Sequence, residues 1–77
     1  MTEKIYTVLY AIRPENDFRA SSNFIEDQLL DSLDIILLIS ELEEAFQIQV
    51  DALDVVPENF DCVENICELV KKCGGKN

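Results

Sequence analysis

Seventy-seven residues carrying sixteen acids, six bases and no histidine make at most one small domain, and an apolar content near half argues for a folded globule rather than a disordered tail. Between Ala20 and Val70 every charged residue is acidic, a field that repels nucleic-acid phosphates and attracts basic protein surfaces. Without histidine there is no Ser–His or Cys–His nucleophilic pair.

In chain order, Ile5, Val8, Leu9 and Ile12 recur at one-face helical spacing. They predict a first helix from Glu3 to Ile12, with Thr2 as N-cap and Pro14 as the stop. The stretch from Arg13 to Leu30 mixes Pro, Asn, Asp and Ser with isolated apolar residues. It reads as a long loop pinned to the core by Phe18, Phe24, Ile25, Leu29 and Leu30.

Asp31 opens a second helix as N-cap, with Asp34 three residues on as a short-armed capping-box acid. This helix runs to Phe46. Ile35, Leu38, Ile39, Leu42, Ala45 and Phe46 form its core stripe. Leu33, Ile36 and Leu37 lie on the other side, continued by Ser40, Glu43 and Glu44. That second face reads either as a binding surface or as a patch covered by the loop or by the next helical segment.

Asp51 to Asp54 predicts one short helical turn, ended by Val56-Pro57 because the residue before proline avoids the α region. Asp61 with Glu64 has the spacing of a second capping box. Val63, Ile66, Cys67 and Val70 then give a last helix from Cys62 to Lys72, favoured at its end by Lys71 and Lys72 and closed by Gly74-Gly75. The expected fold is all-α: three main helices and a short turn-like helix, in a single domain spanning 1–77 with its core at about 2–73. No apolar leader with a small-residue cleavage site opens the chain, and the longest apolar run, Ile35 to Ile39, is too short to span a bilayer. The expected compartment is the cytoplasm.

Candidate chemistry is sparse. Cys62, Cys67 and Cys73 match no zinc spacing and no disulfide framework, and no calcium-binding loop or glycine-rich phosphate loop is present. One feature remains. Ser32 falls at the first position of the central helix, where backbone N–H groups and the positive end of the helix dipole suit a phosphate ester. By position alone an isolated serine there is ordinary helix composition.

The run LLDSLDIILLISELEEAFQIQV, Leu29 to Val50, resembles the phosphopantetheine attachment region of the acyl carrier protein family, with Asp31-Ser32-Leu33-Asp34 matching the attachment motif. The segments IRPENDFRASSNFIEDQLLDS and DALDVVPENFDCVENICELV resemble the family's first loop and its short third helix followed by its last helix. The resemblance implies a four-helix bundle. Ser32 would carry a covalent 4'-phosphopantetheine arm, placed by a phosphopantetheinyl transferase from coenzyme A, with Asp31, Leu33 and Asp34 around it. It also implies a non-catalytic carrier that holds acyl groups as thioesters on the arm's thiol and delivers them to partner enzymes of fatty-acid or related biosynthesis. Ile36, Leu37, Ser40, Glu41, Glu43 and Glu44 would form the partner face, meeting basic docking surfaces. Tethering raises the effective concentration of cargo at each partner.

Two positions depart from the family pattern. Gln28, before the motif, and Gln47, after the second helix, stand where many relatives have Gly. If those positions need positive φ, glutamine costs stability there. A D-alanyl or aminoacyl carrier served by an adenylating ligase is the alternative within the same chemistry. An unmodified acidic helical adaptor for a basic partner is the alternative outside it. No nucleic-acid partner and no membrane insertion are expected, and the net charge favours a monomer.

Overall fold

The computed structural model describes residues 1–75. Three α-helices make up the frame: α1 (Thr2–Ile12), α2 (Ser32–Phe46) and α3 (Val63–Lys72). Single 3-10 turns at Phe18–Ala20, Ala52–Asp54 and Pro57–Asn59 lie in the connections.

α1 buries Ile5, Val8 and Leu9 against α2 and α3. Its cap is Met1, not Thr2, and no side chain closes it. Thr2 is already helical, and its hydroxyl lies 3.6 Å from Cys67 Sγ on α3. Arg13 leaves the helical region (φ −135°, ψ 78°), as a residue followed by Pro14 must.

The loop is pinned as expected by Phe18, Phe24 and Leu30, all buried, with Ile25 and Leu29 packed at the margin. The rings of Phe18 and Phe24 meet edge to face at 5.2 Å, and Tyr10 meets Phe18 the same way at 5.6 Å. Asn16 Nδ2 donates to the Leu29 carbonyl (2.9 Å), and the Phe24 N–H donates to the Asp61 carbonyl (2.6 Å). These bonds fix the end of the loop, and so the place where α2 begins.

α2 starts and ends where its pattern predicts. Leu38, Leu42 and Phe46 are buried, and Ile35, Ile39 and Ala45 pack beside them. Each fully buried side chain of this kind contributes roughly 1.5–3 kcal/mol before entropy is counted. The helix closes on Gln47 in the left-handed region (φ 56°, ψ 50°), with the Ile48 N–H donating to the Glu43 carbonyl (3.1 Å).

The short third helix is the expected single turn, followed by a second one. Asp51 caps a turn at Ala52–Asp54, its Oδ1 accepting the Leu53 N–H (2.9 Å). Val56 is extended (φ −130°, ψ 149°) ahead of Pro57, and a second turn follows at Pro57–Asn59. Proline at position 57 divides what would otherwise be one helix. The bundle therefore has three α-helices among the described residues, with two single turns in place of the fourth.

α3 begins one residue later than its spacing predicted, with Cys62 as N-cap and no side-chain cap bond. The expected Asp61–Glu64 box does not form, because Asp61 sits one position too early. Its Oδ1 accepts from Asn65 Nδ2 instead (2.7 Å). Val63, Ile66, Leu69 and Val70 are buried, while Cys67 is half-buried against the core. The C-terminus closes on Gly74 (φ 91°). The Gly74 N–H reaches the Lys71 carbonyl (3.0 Å) and the Gly75 N–H the Val70 carbonyl (2.8 Å), the paired bonds of a Schellman motif.

Candidate functional site: the first turn of α2 and the groove beside it

The first turn of α2 is locked by reciprocal bonds. Asp31 Oδ1 accepts the Asp34 N–H (2.9 Å), and Asp34 Oδ2 accepts the Asp31 N–H (3.1 Å). Ser32 and Leu33 lie between them and are exposed. Among the described residues no hydrogen bond engages the Ser32 hydroxyl, so it stands free on a rigid turn.

Asp34 is 4 % exposed, the one charged residue buried among those described. Its second oxygen, Oδ1, accepts from Arg13 Nε (2.8 Å). The same guanidinium sits 3.8 Å from Asp31 Oδ2 and donates from Nη1 to Glu15 Oε2 (3.3 Å). The Asp34 N–H, followed by the positive charge of Arg13, holds the Asp31 carboxyl below the usual carboxylate range. Arg13 is itself raised by its bond to Asp34. Nothing in the sequence marked Arg13 for this place. It lies twenty-one positions before Asp34, and only the α1–α2 packing brings the two together.

Part of the expected phosphate site is therefore already used: two N–H groups at the helix start go to the aspartates. Beside the hydroxyl opens a groove of about 470 Å³. Asp31 and Ser32 stand at its polar edge, and Leu30, Ile35 and Ile36 form one apolar wall. Val55, Val56 and Pro57 supply much of the opposite wall. The two turns between α2 and α3 thus help to form a groove that the sequence did not reveal. The signal available was an apolar Val-Val pair whose second member is held extended by proline.

The residues expected to meet partners differ in exposure. Leu33 (71 % exposed), Ile36 (62 %) and Leu37 (55 %) form an uncovered apolar row, so neither the loop nor the following turns cover it. Ser40, Glu41 and Glu44 are exposed along or beside the same row. Glu43 is not free with them: it is half-buried, and its Oε2 accepts the Val50 N–H (2.9 Å), tying α2 to the connection that follows. Leu53 is exposed in the turn beyond the groove.

The thiols stand apart from this site. Cys62, Cys67 and Cys73 are free and half-buried, and burial pushes the Cys62 thiol up. No group of His, Cys, Asp or Glu residues able to hold a metal ion occurs among the described residues. None of the described helices is long and apolar enough to cross a membrane.

Comparison with known proteins agrees with this geometry. The family model described as "Phosphopantetheine attachment site" matches residues 3–70, so it includes α1, the loop, the capped turn with Ser32 and most of α3. The acyl carrier proteins of Borreliella burgdorferi strains ZS7 and ATCC 35210 are each 37% identical over 67 residues, covering 82% of this chain and 76% of theirs. The acyl carrier protein of Borrelia garinii subsp. bavariensis is similar to the same extent. No solved structure matches at a comparable level. A family match over nearly the whole chain, on a helical frame with a capped and exposed serine, shows that the chain belongs to the phosphopantetheine-attachment family, as a non-catalytic carrier of the acyl carrier protein type.

Proposed function

We propose that Ser32 is the attachment residue for a 4'-phosphopantetheine arm and that the cargo is an apolar acyl group. The observation that carries this is the unengaged, exposed hydroxyl on a locked helical turn, opening directly onto an apolar groove. In the transfer, Ser32 Oγ attacks the coenzyme A phosphorus that bears the pantetheine. A P–O bond to the serine forms, the pyrophosphate P–O bond breaks, adenosine bisphosphate leaves, and the hydroxyl proton passes to a base on the transferase. The bound arm supplies the thiol that carries cargo as a thioester. The protein's own residues hold the serine in place and give the arm an apolar wall.

Partner enzymes dock on the row Leu33, Ile36 and Leu37, with Glu41 and Glu44 meeting basic residues at the rim. These partners include the phosphopantetheinyl transferase and the enzymes that load and unload acyl groups, in the cytoplasm. The apolar lining favours an acyl chain over a charged D-alanyl or aminoacyl cargo, whose ammonium group would gain nothing from Val55 and Val56.

The test is intact mass before and after incubation with coenzyme A, magnesium and a broad-specificity transferase. The parent gains one phosphopantetheine and Ser32→Ala gains none. An unchanged mass on the folded parent, with several transferases, would return the chain to the adaptor reading. Loading of the modified protein with fatty acyl and with D-alanyl substrates then separates the two cargoes.

A further inference from the structure

Two aspartates flank Ser32, and a third acid, Glu15, lies close by, yet the incoming donor is a pyrophosphate. One cation addresses all three acids. Arg13 Nε bonds Asp34 Oδ1 at 2.8 Å, Nη1 bonds Glu15 Oε2 at 3.3 Å, and Nη2 lies 3.8 Å from Asp31 Oδ2. Resting on the attachment reading above, we propose that Arg13 is the positioning residue for phosphopantetheine transfer. It holds the Asp31–Asp34 ring closed and sets the orientation of Ser32 within it.

The capping bonds alone cannot do this. Asp34 is buried, and its side chain has only two kinds of donor, the Asp31 N–H and Arg13. A buried carboxylate that loses its cation is driven toward solvent. That movement releases the Asp31 N–H, and with it the segment that carries Ser32. Arg13 suits the place by shape as well as charge. Its nitrogens point to three different carboxylates from one planar group, whereas a lysine ammonium is a single point charge on a flexible stem. Its own backbone is fixed by the Leu9 carbonyl, which accepts its N–H (3.0 Å), and by Pro14 after it. The attachment turn is thereby referenced to the end of α1 rather than to α2 alone. Arg13 itself does not line the groove.

The experiment is steady-state transfer from coenzyme A to the parent, Arg13→Met and Arg13→Lys, with carrier concentration varied and thermal melts run alongside. A positioning role predicts that Arg13→Met lowers kcat about tenfold with KM for the carrier within about twofold, because docking is intact and the bound serine is misaligned. Arg13→Lys falls between the two. A role in stability alone would do the reverse: a smaller folded fraction raises the apparent KM and leaves kcat unchanged. A folded Arg13→Met with parental kcat overturns the proposal. Should Arg13→Met fail to fold, Arg13→Lys decides, and a parental kcat there overturns it equally. If the parent itself gains no arm, the attachment reading has failed, and this result is distinct from failure of the Arg13 assignment on a parent that is modified.

Discussion

Asp31 and Asp34 look equivalent in the sequence, one on each side of Ser32 and Leu33, but the structure divides their work. Asp31 is exposed and Asp34 is buried. Asp34→Ala removes the acceptor of the Asp31 N–H and the partner of Arg13 together, and should cost about 2 kcal/mol of stability in a urea titration; a loss below a few tenths would mean the buried carboxylate is not holding the turn. Asp31 contributes through its charge. Because its carboxyl is held low in the folded protein, that contribution is present above the unfolded carboxylate range and is lost as pH falls through the lower folded value. Asn caps nearly as well as Asp but carries no charge. The melting difference between parent and Asp31→Asn should therefore be constant near neutrality and shrink below about pH 4. The reciprocal box was legible in the sequence because its parts lie within four residues. Arg13 was not, since a loop and a helix packing stand between it and Asp34.

The helix ends show the same division between local and distant causes. α2 could be read to both ends, because its cap and its apolar stripe are both encoded nearby. α3 could not be read at its start: Asp61 has the spacing of a cap, but its carbonyl is already committed to the Phe24 N–H. The single turn at Ala52–Asp54 was legible, but the turn at Pro57–Asn59 was not, because proline was read only as a stop although it also begins that turn. The two glutamines that depart from the family pattern both adopt positive φ, Gln28 at 60° and Gln47 at 56°. Glycine enters this region without the clash a Cβ brings. Gln28→Gly and Gln47→Gly should each raise stability by about 1 kcal/mol in denaturant unfolding. The gain is smaller at Gln47, whose Nε2 also donates to the Glu44 carbonyl (2.8 Å). Loss of stability at either site would show that the glutamine side chain outweighs the backbone strain.

At the scale of the whole molecule, charge is the dominant liability. A formal charge of −10 is relieved at few places: Arg13 with its three acids, Arg19 paired with Glu3, and Lys72 with Asp54. The remaining acids repel one another across a very small body, so salt should stabilise the fold. The urea midpoint is expected to rise between about 0.02 and 0.5 M monovalent salt, where the Debye length contracts from about 20 to about 4 Å; a falling midpoint would mean that the ion pairs outweigh the repulsion. The same molecule keeps Leu33, Ile36 and Leu37 uncovered in its native state. Hydrophobic dyes report such surface wherever they find it, and their fluorescence is commonly taken as a sign of loosened packing. Here the intact fold already exposes an apolar strip, so a bright native baseline is to be expected. With partners docking on this row as proposed, the informative signal is its quenching when one is added, which makes the dye a probe of docking rather than of unfolding.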